Sequence, residues 1–253
     1  MIYNVEVNNG NRSSVINYIN KNKIYEKFSV IDVGGTMGGW SEPYIDALVD
    51  FNEQKEESME KLEKLEEETK KRKPLFFKCD ITHPNSWTPI LEYVKENGKF
   101  DFCICTHTLE DIMNPGFVCE QICKIAKEGY IAFPSKYREL CRNVDNQMHN
   151  YRGYIHHRWI FTVKKEENQE SDKYQESDKE QDQKQKLVAF PKINYLDSES
   201  KFDQIANPSN ECCDLNFFWK ENIEFEYLNN NFLGPNVAAV LKYYDKLFDS
   251  EYV

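Results

Sequence analysis

Short apolar runs alternate with helical patterns through much of the chain. Residues 28–33 (FSVIDV), 47–51 (ALVDF), 75–79 (LFFKC), 100–106 (FDFCICT) and 130–133 (YIAF) are rich in aliphatic and aromatic side chains. Runs of this kind suit strands buried on both faces. Residues 86–97 place Trp87, Ile90, Leu91 and Val94 on one side, and residues 118–127 do the same with Val118, Ile122, Cys123 and Ile125. Both patterns predict helices. Strand and helix alternating in this way predict an α/β fold with a mostly parallel sheet covered on both faces.

The rhythm then changes. Residues 158–163 (RWIFTV) and 186–190 (KLVAF) are two strand-like runs separated by polar sequence, and they predict an antiparallel hairpin added to the sheet. A further strand is expected at 223–227. An amphipathic helix is expected at 236–248, with Val237, Val240, Leu241, Tyr244 and Leu247 on one side.

Two highly charged segments interrupt the pattern. Residues 52–73 carry 15 charged side chains in 22. Met59, Leu62 and Leu65 form a thin apolar stripe there, and pairs such as Glu60/Lys64 and Glu67/Lys71 sit at i,i+4, which predicts an exposed helix. Residues 164–186 have no apolar period and repeat QESDK at 169–173 and 175–179, which predicts a low-complexity, disordered insertion in the hairpin turn. With these as additions, residues 1–253 read as a single domain whose acidic C-terminal part, 193–253, packs on the core.

Charge refines the picture. The 253 residues hold 32 Lys+Arg and 43 Asp+Glu, a net charge of -11. Residues 193–253 contribute -7 and the two charged segments -1 and -2, so the rest of the chain is close to neutral. The balance disfavours nucleic acid held on a broad basic face. No apolar run reaches eighteen residues, so no transmembrane helix is expected, and the polar start, residues 1–14, lacks the apolar centre of a signal peptide. A cytoplasmic location follows as an expectation. The eight cysteines include no CxxC pair and read as small buried hydrophobes in a reducing compartment; no metal site is assigned.

The chemistry concentrates around residues 30–40 (VIDVGGTMGGW), where a strand ends in Asp32 and runs into Gly34, Gly35, Thr36, Met37, Gly38 and Gly39. Glycines directly after a first parallel strand let a ligand approach the backbone. Asp50 ends the second strand and Asp80 follows the third, so three acids fall at three successive strand ends. Thr36 occupies the middle glycine position of a dinucleotide fingerprint, and no Gly-Lys-Ser/Thr is present, so pyrophosphate binding is disfavoured.

On these residues the sequence resembles the class I S-adenosylmethionine-dependent methyltransferases, most closely a bacterial small-molecule or sugar subset with a shortened first helix. DVGGTMGG is similar to that family's glycine-rich motif. The stretch 100–135, with His107, Leu109, Glu110, Asp111, Pro115 and Gly129, is similar to its fourth strand, helix and fifth strand. The resemblance implies a Rossmann-like, mostly parallel seven-stranded sheet with a terminal antiparallel hairpin. It implies adenosylmethionine as cofactor, held by Asp32, Gly34, Gly35, Thr36 and Gly38, with ribose on Asp50, adenine near Asp80 and Ile81, and Thr106 and His107 flanking the methionine side. There are departures. Only eleven residues separate Gly38 from Asp50, with Pro43 among them, so the first helix is reduced to a turn; Asp111 stands where the family has histidine, and Glu128-Gly129 where it has a glycine pair.

Methyl transfer from a sulfonium mainly requires alignment of donor and acceptor, and a hydroxyl acceptor adds the need for a base. His107, Glu110 and Asp111 are candidates near the strand ends. The segment 151–159 (YRGYIHHRW) adds His156 and His157 beside aromatics suited to stacking on a substrate. A metal centre built from His149, His156, His157 and a carboxylate is the weaker use of these histidines. The expected activity is O-methylation of a small molecule, sugar or glycan. The alternatives are methylation of a protein or nucleobase nitrogen, or a non-catalytic binding scaffold.

Overall fold

The computed structural model describes residues 1–25, 27–51, 73–145, 150–165, 184–228 and 236–253. Most of the two charged segments, and His149, lie outside the described residues.

The main sheet has seven strands: β1 (Ile2–Asn8), β2 (Val30–Val33), β3 (Ala47–Asp50), β4 (Leu75–Lys78), β5 (Phe100–Thr106), β6 (Ala126–Pro134) and β9 (Asp214–Lys220), in the order β1-β9-β6-β5-β2-β3-β4. β6, β5, β2, β3 and β4 run parallel, whereas β9 is antiparallel to both β6 and β1. This is the α/β, mostly parallel arrangement expected from the alternating pattern, and the Rossmann-like seven-stranded sheet that the resemblance implies. The expected hairpin forms as β7 (Trp159–Lys165) and β8 (Gln185–Pro191), but it joins β10 (Phe225–Tyr227) in a separate three-stranded sheet. The antiparallel strand of the main sheet is β9 instead. Its alternation was masked because DLNFFWK is buried along nearly its whole length.

Period-two alternation divides the core between the two faces of the sheet. Ile31 and Val33 point to one side, with Val49, Cys103, Cys105 and Ile131, and pack under α2 (Thr88–Asn97) and α3 (Pro115–Ile125) through Ile90, Val118 and Ile122. Val30, Leu48, Phe102 and Ile104 point to the other side, under Val15 and Ile19 of α1 (Arg12–Tyr25). Among the described side chains of α1, Val15 and Ile19 are the fully buried ones, and RSSVINYINKNKIY shows little apolar periodicity, so no element was expected there. α3 begins where the Asn114 side chain accepts from the Phe117 N–H at 3.2 Å, with Pro115 at its first position.

A smaller cluster holds Ile160, Phe190, Leu196, Val240, Tyr244 and Leu247, and joins the small sheet to the helix Val237–Leu241 and its 3-10 continuation to Phe248. Among the described residues, no helix is long and apolar enough to cross a membrane.

This topology fixes where a site can form. From β2 the chain proceeds outward to β3 and β4, then returns to β5 and β6 on the other side. The direction of winding therefore reverses between β2 and β5, and a crevice opens there beyond the carboxyl ends of the strands. β9 is antiparallel and Asp214 is paired with Pro134, so the beginning of β9 reaches the same edge.

Candidate functional site

At the reversal point, the loop leaving β2 meets the loop leaving β5. Gly34 has φ +83°, and a Cβ there would lie 2.4 Å from the Thr108 side chain, so both conformation and space require glycine. Its N–H donates to the Val49 carbonyl at 2.8 Å, tying the turn to β3. Beneath the turn, Asp32 is 2 % exposed. Its Oδ2 accepts from the Ser41 hydroxyl, while Oδ1 has no partner among the described residues. Burial, with a smaller push from Asp50, raises the Asp32 carboxyl to about 6.

Gly34, Asp50, Asp80, Ile81, Thr82, His107, Thr108 and Asp111 line a cleft of about 410 Å³. Thr82 donates to Asp80 Oδ1 from its N–H at 3.0 Å and its hydroxyl at 2.6 Å, which holds the Asp80 carboxyl below its usual value. The remaining candidates stand around this cleft. Gly35 lies against the Asp32 carboxylate, and Thr36 and Gly38 are on the exposed limb of the turn. Thr106 ends β5, its carbonyl accepting from Thr108 Oγ1 at 3.1 Å. The helix missing after the glycine turn is a single 3-10 turn, Glu42–Tyr44, with Pro43 inside it.

A second cleft of about 350 Å³ lies beside the first, lined by His107, Glu110, Asp111, Arg138, Tyr154, His156, His157 and Asp214. His107 and Asp111 belong to both. His107 has φ +50° and sits between two carboxylates, with Nε2 3.4 Å from Asp214 and Nδ1 3.5 Å from Glu110. Asp214 and then Glu110 raise its pKa to about 9, against the effect of burial. His107 is therefore an imidazolium at neutral pH, a donor and positive charge rather than a proton acceptor. Glu110 is 1 % exposed, and burial raises its carboxyl above the ordinary range.

His157 is held differently. Its Nδ1 lies 2.6 Å from Oε1 of Glu139, a carboxylate 1 % exposed whose other oxygen accepts from Lys192 at 2.7 Å. This contact turns Nε2 towards the cleft, 3.7 Å from Asp111 Oδ1. His156 Nε2 is 3.8 Å from the same oxygen, on an exposed side chain. The Tyr154 ring packs on His157 with centroids 4.7 Å apart.

Three ties bring the histidine pair to the loop after β5. The Arg158 N–H donates to the Glu110 carbonyl at 2.7 Å, its guanidinium to the Asp111 carbonyl at 2.9 Å, and the Trp159 indole to the Ile112 carbonyl at 2.8 Å. Upstream, the buried Arg152 guanidinium donates to the carbonyls of Leu140, Leu196 and Glu199. Gly153 has φ +59°, and a Cβ there would meet Glu139 Oε2 at 2.4 Å, so glycine makes room for the carboxylate behind His157.

Glu139, Lys192 and Asp214 were not among the sequence candidates. Each lies far from the histidines in sequence. Glu139 is on the five-residue α4 (Lys136–Leu140) and Asp214 opens a strand that was not expected, so no local motif marks either.

No protein-family model and no curated protein sequence matches the chain. Among solved structures, it is similar to the N-terminal domain of EvdMO1 in the presence of SAH and D-fucose, with 10% identity, a TM-score of 0.38, and coverage of 85% of this chain and 83% of that one. The same domain with SAH bound gives 10% identity, a TM-score of 0.39, and coverage of 85% and 82%. A protein of Bacillus halodurans C-125, BH2331, named as a candidate methyltransferase, gives 14% identity, a TM-score of 0.31, and coverage of 48% and 52%. These likenesses transfer no residue role, and the site is read from its own side chains.

Proposed function

We propose that the chain transfers a methyl group from S-adenosylmethionine to a hydroxyl of a small molecule, a sugar or glycan being the class that suits a polar, imidazole- and carboxylate-lined cleft. The observation that carries this reading is the pair of adjoining clefts that share His107 and Asp111 as their common wall. One has the features of a nucleoside site and the other those of a polar acceptor site. The residues of the first fit the cofactor. Gly34 leaves no room for a Cβ, the buried Asp32 has one oxygen without a partner among the described residues, and Asp50 and Asp80 stand at consecutive strand ends where ribose hydroxyls and a base edge would be met.

Bound there, adenosylmethionine supplies an electrophilic methyl group on a sulfonium. The chain does the rest. The glycine turn and Asp50 hold the adenosine part, and the acids near the reversal point favour a cation. Thr106 and His107 border the methionine end, where the His107 imidazolium suits its carboxylate. On the acceptor side, Asp111 and His157 lie against the wall shared with the donor cleft, and an acceptor hydroxyl placed beside them faces the methyl donor. Much of the acceleration expected from such a site is alignment of the two reactants. The adjacency of the clefts offers that alignment without a large conformational change.

Isothermal calorimetry of the full chain with adenosylmethionine and adenosylhomocysteine tests the donor half. One-to-one binding is expected, weakened at least tenfold in Asp50→Ala. Equal affinity in wild type and Asp50→Ala would sink the assignment. A screen of sugars and polyols with a radiolabelled methyl donor then tests the acceptor half, with label expected on oxygen.

A further inference from the structure

Among the described residues, one group of three metal-ligating side chains has donor atoms all within 4.8 Å of one another: Asp111, His156 and His157. From the sequence, a metal centre was the weaker use of these histidines. We propose that these three residues bind a first-row divalent cation of the zinc type, which ligates and activates the acceptor hydroxyl.

Four observations carry this. The donor set is two imidazoles and one carboxylate, which suits zinc, manganese, iron or cobalt better than magnesium. The spacing is close to that required: Asp111 Oδ1 lies 3.7 Å from His157 Nε2 and 3.8 Å from His156 Nε2. Ligands on a tetrahedral zinc stand about 3.4 Å apart, so the two carboxylate–imidazole pairs each need to close by about 0.3–0.4 Å, while the donor atoms of the two imidazoles lie within 4.8 Å of each other. Asp111 and His156 are exposed side chains able to make that adjustment.

The third observation is the support behind His157. A metal-bound histidine usually donates its second ring N–H to a carboxylate, which fixes the tautomer and aims the lone pair. Glu139 does this at 2.6 Å, and Lys192 fixes Glu139 in turn. The fourth is position. Three protein ligands leave coordination places open, as in catalytic rather than structural sites. Here the open side faces the cleft that adjoins the donor cleft through Asp111.

This inference rests on the proposed methyl transfer and specifies its acceptor side. An acceptor hydroxyl ligated to the ion loses its proton to solvent more readily. The O–CH3 bond then forms as the S–CH3 bond of the sulfonium donor breaks, and the electron pair of that bond leaves with the neutral thioether.

The test uses the full chain without an affinity tag, titrated with Co2+ by visible absorption and with Zn2+ by calorimetry. One equivalent is expected to bind, with the d–d spectrum of a low-symmetry site. Affinity should fall at least tenfold in His156→Ala and Asp111→Asn, and about 10–100-fold in Glu139→Gln. His156 lines only the acceptor cleft, so His156→Ala should retain adenosylhomocysteine binding, which also reports an intact fold. Failure of wild type to take up either ion, or equal uptake by wild type, His156→Ala and Asp111→Asn, overturns the proposal. Failure of wild type to bind adenosylhomocysteine would instead contradict the donor-site reading and leave the ion result standing.

Discussion

The buried carboxylate beneath the glycine turn should cost stability, and the cost can be worked out. Asp32 is 2 % exposed, has one oxygen bonded to Ser41 and one without a partner, and has its carboxyl raised from 3.8 to about 6. A carboxyl raised in the folded state is favoured there when protonated, so the penalty appears as pH rises from about 3.8 to about 6 and is then constant. At ~1.4 kcal/mol per pH unit, the difference amounts to about 3 kcal/mol at neutral pH. Asp32→Asn removes the charge, and the Ser41 hydrogen bond is already counted in the shifted value, so a gain of up to about 3 kcal/mol is expected, or up to about 6–12 °C in Tm for a domain of this size. Thermal unfolding of wild type and variant across pH 4–8 measures it. The difference should be largest above pH 6 and fade towards pH 4, while adenosylhomocysteine binding weakens. A variant less stable than wild type at pH 7, or a difference that does not change with pH, would refute the reasoning.

Gly34→Val forces a β-branched residue to φ +83° and onto Thr108, so a loss of at least about 2 kcal/mol and of adenosylhomocysteine binding is expected; binding at wild-type affinity would contradict the turn's role. The His107 imidazolium, raised to about 9, adds stability that is complete below pH 6.5 and lost as pH rises through about 9. An NMR titration should place its midpoint near 9, and Asp214→Asn should lower it; an unchanged midpoint would show that Asp214 is not the main cause. Glu139→Gln leaves Lys192 without its buried charge partner, and a loss of about 2–4 kcal/mol is expected in denaturant unfolding. Turnover should fall further than adenosylhomocysteine affinity, because His157 loses its orientation.

The strand-helix alternation of the central half was legible because β2, β3 and β5 are buried on both faces and read as continuous apolar runs. α1 was not legible, because Val15, Tyr18 and Ile19 are the few side chains that carry its contact with the sheet, and they stand among polar residues. β9 hid within a C-terminal region that its acids made conspicuous, and its place between β6 and β1 is a long-range pairing that leaves no local mark. The same holds at the site. Gly34, Asp50, Asp80 and His107 could be found because short loops at strand ends carry them. His156 and His157 stood out as a pair, but what separates the two is tertiary: the Glu139–Lys192 pair behind one and solvent around the other.

A crystal structure of the full chain with adenosylhomocysteine tests the central claim most directly. The account predicts the ribose on Asp50, the base beside Asp80 and Ile81, and the sulfur towards the wall formed by His107 and Asp111, facing the histidine cleft. Adenosylhomocysteine bound away from the glycine turn, or seated there with its sulfur turned from that wall, would contradict it.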